Sequence, residues 1–307
     1  MSWRATLVFC TLCVIWGIPY FLIKLALVDF SPAVVAWSRI TLGAIVLFPI
    51  AWRRGGMRAL RAHKPALIAF AVAELVVPFS LIAVSERWIS SSFAGILVAT
   101  VPMTVVLMAP LFGIKETMNA RRVAGLLIGF CGVIALLGID RISSPLQWAG
   151  AACTMIAVAG YAAGPLIVQR YLADVDETAA VAVSLVIASI ILLPFAAFTL
   201  PATRPTMQGL ASIVALGVVC TAVAMLMYFY LINAAGAARA SVIAYINPAI
   251  AALLGVAILG EHLSIGSIAG LALILAGSWL ATRRVAAPDA KHHGGSVTHG
   301  ASDQPIH

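Results

Sequence analysis

The sequence predicts an all-α integral membrane protein whose ten transmembrane helices form two inverted five-helix repeats. Three observations predict this fold class. Apolar residues make up 63% of the 307 residues and charged residues only 10%, whereas a soluble domain carries about 25% charged residues. Apolar segments of roughly 20 residues, the length that spans a bilayer, recur along the whole chain. The spacing of prolines, glutamates and glycines in the first half returns in the second half.

The apolar segments are joined by short polar connections, so consecutive helices are predicted to be antiparallel neighbours. A helix rises about 1.5 Å per residue, and each segment is therefore long enough to cross roughly 30 Å of hydrocarbon. The helices are predicted at about residues 5–27, 32–52, 65–85, 91–113, 120–138, 146–168, 178–200, 209–232, 238–260 and 265–282.

The second half of the chain repeats the first at a nearly constant distance. Pro102 and Pro248 are 146 positions apart, and Glu116 and Glu261 are 145 positions apart. Two further pairs with a separation of 146 are Lys24 with Arg170 and Pro19 with Pro165. A duplicated set of apolar helices, each copy with a proline inside, is typical of secondary transporters.

These spacings predict one repeat at residues 6–139 and a second at 146–283. Each repeat holds five helices, an odd number, so the second repeat enters the membrane upside down and a two-fold axis in the membrane plane relates the two. Residues 284–307 contain four histidines among glycine and serine and are predicted to form a disordered cytoplasmic tail. Metal binding by these histidines is the weaker alternative.

Basic residues are distributed unevenly between the two sides of the predicted bundle. With the N-terminus in the cytoplasm, 14 basic residues face the cytoplasm and three, Arg87, Arg141 and Arg204, face outward. This asymmetry predicts that both termini are cytoplasmic and that the protein lies in the inner (plasma) membrane. The basic cluster at residues 53–64 is expected to face anionic lipid, not nucleic acid, although the net charge is +8.

Two charged residues are predicted to lie deep in the membrane, where such residues are expensive and are candidates for function. Glu74 falls near mid-depth of the third helix, and Arg39 lies within the second helix. One interpretation is that Glu74 binds substrate, a proton or a cation. The alternative is a structural ion pair between Arg39 and Glu74, whose predicted depths differ by about one side-chain length.

Two prolines interrupt the fourth and ninth helices at equivalent places. Pro102 and Pro248 each remove one backbone hydrogen bond and leave a carbonyl that needs another partner. We expect paired kinks that line a central cavity and act as hinges; kinks without a functional role are the alternative. Thr100, Tyr245 and Asn247 add hydrogen-bonding groups beside these prolines and are candidate substrate-binding residues.

Aromatic residues inside the predicted helices supply further candidates for the cavity wall. Trp16 falls in the middle of the first helix, away from the helix ends where tryptophans form interfacial belts. It either packs between helices or lines a cavity. Tyr161 in the sixth helix and Tyr228 in the eighth are amphipathic in the same way and are included among the candidates.

Glycines at equivalent places in the fifth and tenth helices permit close helix packing. They are Gly125 with Gly132 and Gly270 with Gly277. Packing within the bundle is the simpler interpretation, and a homodimer face is the alternative.

The sequence contains no signature of a catalytic centre. The HExxH, GxSxG and phosphate-binding glycine-loop patterns are absent from it, so no catalytic residues, metal or cofactor are predicted. An acidic stretch at 174–177 is expected to be a solvated loop. If it held Mg²⁺, it would support the alternative of a membrane enzyme or a lipid-handling flippase.

Taken together in their order, several short motifs resemble the EamA-type members of the drug/metabolite transporter superfamily. They are Trp16-Gly17 with Lys24, Ser31-Pro32 with Arg39, Pro102 followed by Glu116, Thr221-Ala222, the segment from Gly236 to Ser241, Pro248, and Leu259-Gly260-Glu261. The resemblance covers nearly all of residues 6–282 as two EamA repeats. It implies ten helices, a cavity built mainly from helices 1, 3, 4, 6, 8 and 9, and export or exchange of small metabolites.

We therefore expect a secondary transporter that moves a small metabolite, such as an amino acid or a drug-like compound, by alternating access. The expected partners are the small-molecule substrate and membrane lipid, with a homodimer as a possibility and no nucleic acid. No ATP-binding motif occurs in the sequence, so a gradient of substrate or protons is expected to drive transport.

Overall fold

A computed structural model of the chain describes residues 1–55, 59–114, 118–139 and 144–282. Helices are the regular elements in these ranges. Their bounds are α1 (Trp3–Ala26), α2 (Pro32–Arg54), α3 (Lys64–Ser85), α4 (Ser91–Phe112), α5 (Ala120–Ile139), α6 (Pro145–Tyr171), α7 (Glu177–Ala197), α8 (Met207–Ala235), α9 (Ile243–Ala257) and α10 (Ile265–Thr282).

The helices confirm the predicted all-α membrane architecture. In the described part of the chain, nine helices are long and apolar enough to cross a membrane, and α9 is a shorter apolar helix. Glu116 and the predicted tail at 284–307 lie outside the described residues.

Short polar residues fix where many of the helices begin. Ser31, Ser90, Asp176 and Thr206 each precede a helix in an extended conformation, and each side chain accepts a hydrogen bond from the backbone N–H three residues later. These caps satisfy N–H groups that the helix itself leaves without partners. The caps therefore account for several helix starts within one or two residues of the predicted positions.

The ninth helix differs most from its prediction. The sequence predicts one helix over 238–260, whereas the structure has a short turn of helix at Ala237–Ala240 followed by α9. Gly236, with φ of +86°, ends α8 and turns the chain into this short segment. A side chain at this backbone conformation would be strained, which is why glycine suits the position.

The two repeats run in opposite directions through the bundle. The Lys24 ammonium, near the end of α1, donates hydrogen bonds to the carbonyl oxygens of Glu86 (2.5 Å) and Ile89 (3.1 Å). Near the start of α6, a Cβ placed on Gly150 would lie 3.0 Å from the Ile89 side chain. The end of α1 and the start of its counterpart α6 therefore share one end of the bundle, which we name the Lys24 end. The opposite end is named the His63 end.

The packing of helices follows the same two-fold relation. Three helices pack against their own counterparts: α2 against α7, α4 against α9, and α5 against α10. The contact of α3 with α6 is matched by the contact of α8 with α1. Contacts between α1 and α8, and between α3 and α6, join different repeats, so the centre of the bundle is built from both repeats.

The kinks at the prolines are not the same in the two repeats. In the first repeat, α4 is broken at Ala99 and Thr100, just before Pro102. In the second repeat, Pro248 lies inside the continuous helix α9. The pair at Pro19 and Pro165 behaves likewise, because α1 is interrupted at Ile18 while α6 continues past its proline.

Close packing of α5 on α10 depends on glycine. A Cβ placed on Gly277 would lie 2.6 Å from both the carbonyl oxygen of Gly125 and the Cα of Gly129. Gly132 and Gly270 approach each other in the same way, with their added Cβ atoms 2.9 Å from the partner's carbonyl oxygen. The predicted glycine pairs therefore pack within one chain, and a homodimer stays a prediction without support from them.

Replacing Gly277 with leucine is expected to lower the free energy of unfolding by at least about 1–3 kcal/mol, because backbone atoms of α5 cannot move aside. The measurement is the apparent melting temperature of the purified protein in detergent. Ala276→Leu is the matched control, since Ala276 is the neighbouring residue on α10 and is exposed. Equal melting temperatures for the two variants would contradict the packing described above.

Candidate functional site

The counterpart helices α3 and α8 each contain a π-helical segment at an equivalent place. The segments are Ala71–Val76 in α3 and Ala215–Val223 in α8. Such segments are rare and occur frequently at functional sites. The first carries Glu74 and packs against α6 and α7; the second carries Thr221 and packs against α1 and α2. Both therefore lie where the two repeats meet.

Arg39 is buried at this seam and binds groups from two other helices. Its Nε donates a hydrogen bond of 3.1 Å to Thr221 Oγ1 in the π-helical segment of α8. Its guanidinium carbon lies 3.9 Å from the centre of the Phe79 ring of α3, a distance at which a cation is attracted to the face of an aromatic ring. In this structure Arg39 therefore interacts with α8 and α3 without forming the predicted ion pair with Glu74.

Glu74 lies against a glycine of α6. A Cβ placed on Gly164 would overlap the carboxyl oxygen Oε2 and would lie 2.8 Å from the carboxyl carbon. The absence of a side chain at Gly164 therefore makes the space that the carboxyl group occupies. Oε2 is buried and has no hydrogen-bond partner within the described residues, so this carboxyl remains available to a ligand.

Aromatic side chains surround these two charged residues. The rings of Trp16 in α1 and Tyr228 in α8 have their centres 4.9 Å apart. The rings of Phe79 and Tyr161 have their centres 6.3 Å apart, and Tyr161 lies close enough to both Arg39 and Glu74 to interact electrostatically with each. Three of the predicted wall residues, Trp16, Tyr161 and Tyr228, are thus partly exposed and lie around the seam.

The other three predicted cavity residues are engaged elsewhere. Thr100 is fully buried, and its hydroxyl donates to the carbonyl of Leu97 in its own helix (2.6 Å). The Tyr245 hydroxyl lies 2.5 Å from the Thr282 hydroxyl of α10. With its amide oriented to satisfy its neighbours, Asn247 donates to the Cys13 carbonyl of α1 at 3.1 Å. These side chains join helices, and none of the three contacts a predicted cavity residue through these bonds.

Sequence reasoning missed two residues that hold Arg39, namely Thr221 and Phe79, and it missed Glu86 entirely. Thr221 is part of a quoted motif, but a threonine in an apolar helix gives no signal of its partner. Glu86 follows the last residue of α3 and was expected to be a loop residue. The structure shows it fully buried, and only the tertiary packing of the Lys24 end reveals this.

The Lys24 end of the bundle is closed by Glu261, which caps the first turn of α4. Its two carboxylate oxygens accept hydrogen bonds from the backbone N–H groups of Ser91 (2.8 Å) and Ser92 (2.9 Å) and from both serine hydroxyls (3.0 and 2.6 Å). A carboxylate at a helix N-terminus is favoured by the helix dipole as well. This one side chain fastens the connection between α9 and α10 to the start of α4.

Burial raises the pKa of Glu261, but the hydrogen bonds from Ser92 and Ser91 outweigh burial, and the net pKa is lowered. A carboxyl with a lowered pKa in the folded state stabilises the fold above its unfolded pKa, and this contribution is lost as pH falls through the folded pKa. The cap is therefore expected to weaken in acid.

Glu261→Gln is expected to lower the free energy of unfolding by about 1–3 kcal/mol at neutral pH, because charge-assisted hydrogen bonds are lost. The difference from the parent should shrink below about pH 4, where the carboxyl of the parent becomes protonated. Apparent melting temperatures measured from neutral to acidic pH test this, with Glu177→Gln at an exposed position of α7 as the control. A difference that stays constant across this pH range would show that Glu261 does not act as an ionised cap.

The two ends of the bundle are not equally closed, although the repeats are related. At the Lys24 end, every residue of Ser91–Val98 up to Leu97 is buried, including Ile96 at 0% exposure. The positions 146 residues after Phe93, Gly95 and Ile96 are Arg239, Ser241 and Val242. All three of these are exposed, Val242 at 42%. Equivalent segments of the two repeats thus have opposite exposure.

The fold and the seam define a class of protein: a multi-pass membrane protein of two inverted repeats with charged and aromatic side chains where the repeats meet. The model of the EamA-like transporter family matches residues 3–138 and 148–283. The chain therefore belongs to the EamA-like transporter family.

Individual proteins agree with this membership. The chain is 31% identical to YedA, named an uncharacterized inner membrane transporter, of Escherichia coli strain K12, over 82% of this chain and 81% of that one. It is 26% identical to an uncharacterized transporter of Archaeoglobus fulgidus, over 88% and 95% of the two chains. A crystal structure matches with a TM-score of 0.66 and 22% identity, over 91% of this chain and 97% of that one, and shows the same fold.

Proposed function

We propose that this transporter is a secondary transporter that moves a small metabolite, such as an amino acid or a drug-like compound, by alternating access, as an exporter or an exchanger. The observation that carries the proposal is the opposite exposure of equivalent segments at the two ends. Inverted repeats allow inward-open and outward-open states to be near mirror images. A protein of this design in one state has one end closed and the other looser, as at Ile96 and Val242.

The proposed substrate pathway passes along the seam between the repeats. Arg39 and the unpartnered oxygen of Glu74 offer opposite charges to a ligand, and Trp16, Tyr161 and Tyr228 offer aromatic surface. Small-molecule sites combine a mostly apolar lining with a few placed polar groups. A solute with both a polar head and an apolar body suits this set of side chains.

The proposed orientation puts both termini in the cytoplasm and the Lys24 end outside. The described basic residues support it, because the His63 end carries more of them than the Lys24 end. Those near the His63 end are Arg4, Arg53, Arg54, Lys64, Arg121, Arg122, Arg170 and Arg239, and those in the connections of the Lys24 end are Arg87 and Arg204. The structure is then closed toward the outside.

The test is solute uptake into proteoliposomes over a panel of amino acids and amphipathic drugs, with and without a pH gradient. We expect saturable flux of at least one solute that is stimulated when the same solute is present on the opposite side. Glu74→Gln is expected to reduce this flux or its dependence on the pH gradient. Movement of fluorescent lipid without flux of any solute would contradict the proposal and favour a lipid-handling protein.

A further inference from the structure

Glu86 is a buried carboxylic acid that the proposed solute pathway does not use. It lies directly after the last residue of α3, at the Lys24 end, and is 0% exposed. Neither of its carboxyl oxygens has a hydrogen-bond partner within the described residues. An ionised carboxylate in such a place would be strongly disfavoured, because nothing replaces the water that it loses.

The charged groups near Glu86 are all engaged by other partners. The Lys24 ammonium of α1 donates to the backbone carbonyl oxygens of Glu86 and Ile89, where a cation suits the C-terminal end of α3. The Glu261 carboxylate accepts four hydrogen bonds from the start of α4, and Arg39 of α2 is bound to Thr221.

Two of these neighbours favour an ionised Glu86 and one opposes it. Burial raises the pKa of Glu86 well above its usual value; the positive charges of Lys24 and Arg39 act against this, and the negative charge of Glu261 adds to it. Tyr20 of α1, 9% exposed, is the uncharged titratable neighbour. The net result is a neutral carboxylic acid while the Lys24 end is closed.

We propose that Glu86 is a proton-binding site of the gate at the Lys24 end, which holds a proton while this end is closed and releases it to the outside when the end opens. The proposal rests on the proposed function, because it requires that the Lys24 end opens during transport. It assigns to a single side chain the role of linking external pH to the conformational equilibrium.

The link follows from the different affinities of the two states for a proton. A state that binds the proton more tightly is favoured as the proton concentration rises. Acidic external pH therefore favours the closed Lys24 end, and alkaline external pH favours the open one. Opening would also free the Lys24 ammonium from the carbonyl oxygens, which places a cation beside the newly ionised carboxylate.

The experiment measures opening directly and needs no substrate. The native cysteines are replaced, and Ile96→Cys is introduced as a reporter that is buried in the closed end. Proteoliposomes of known orientation are treated with a membrane-impermeant thiol reagent at several external pH values. Val28→Cys, at a residue that is 80% exposed after α1, corrects for the ionisation of the thiol itself.

We expect the ratio of labelling rates, Ile96→Cys over Val28→Cys, to rise with external pH by up to about tenfold per pH unit, the slope of a single titrating proton. In the Glu86→Gln background the ratio should be independent of pH and low, because glutamine resembles the neutral acid. In the Glu74→Gln background the ratio should rise as in the parent.

Three results would overturn the inference. A ratio that does not change with pH in the Glu86 parent excludes the proton site whether or not the glutamine variant folds. A pH dependence that persists in Glu86→Gln, or disappears only in Glu74→Gln, assigns the proton to another group. Absence of labelling at every pH would contradict opening itself, and so the proposed function too, whereas labelling without pH dependence contradicts only the role of Glu86.

Discussion

Replacing Arg39 with methionine is expected to abolish solute flux, by at least about 100-fold, while leaving the protein as stable as the parent. The guanidinium is the positive charge that the proposed pathway offers to a ligand, and it holds α2 to α3 and α8 at the seam. A buried charge replaced by an apolar side chain of similar volume often leaves stability unchanged or improves it. Flux in proteoliposomes and the apparent melting temperature are measured on the same preparation.

Two variants accompany this test. Arg204→Met removes an exposed arginine at the Lys24 end and should leave flux unchanged. Thr221→Val removes the hydrogen-bond acceptor of Arg39 but keeps its charge, and we expect an intermediate loss, about 10-fold, since one hydrogen bond to a charged group contributes about 1.5–3 kcal/mol. Parent-like flux in Arg39→Met would remove Arg39 from the pathway.

Gly164→Ala is expected to reduce flux about as severely as the loss of Glu74 itself. The added methyl group would occupy the place of the Glu74 carboxyl, so the carboxyl must swing away from the seam. Because the displaced group is the far end of a side chain, the loss of stability should be small, about 1 kcal/mol or less. Flux in proteoliposomes and melting temperature again provide the two measurements.

Gly160→Ala is the matched control on the same face of α6. Its added Cβ would meet the backbone carbonyl of Ala73 and the ring of Pro78, so stability rather than the carboxyl should suffer. A double variant sharpens the test, because Gly164→Ala should have little further effect on stability once Glu74→Ala has emptied the space. Additive losses in the double variant would show that the methyl group and the carboxyl do not compete.

The ten helices and their inverted arrangement could be predicted because both depend on properties that the sequence displays directly. Apolar length marks each span, and the 146-residue spacing marks the repeat. The break in α9 could not be predicted, since hydropathy continues through Gly236 and only its backbone conformation ends α8. Hydropathy likewise says nothing about the π-helical segments of α3 and α8, which change hydrogen bonding without changing composition.

The candidate site shows a similar division. Arg39 and Glu74 were identified because deep charges are rare in membranes, and depth along the helix placed them within reach of each other. Depth does not give rotation about the helix axis, and in the structure Arg39 reaches Thr221 of α8 instead. Thr100 was chosen for its position beside Pro102, yet its hydroxyl satisfies the carbonyl of Leu97.

The central claim, that two inverted repeats alternate in exposing one solute pathway, is tested most directly by labelling equivalent positions of the two repeats. Ile96→Cys and Val242→Cys are each treated with an impermeant thiol reagent from both sides, with and without transported solute. The account predicts reciprocal behaviour: conditions that increase labelling of Ile96→Cys from outside decrease labelling of Val242→Cys from the cytoplasm. Labelling of the two positions that rises and falls together, or changes at one position alone, would contradict it.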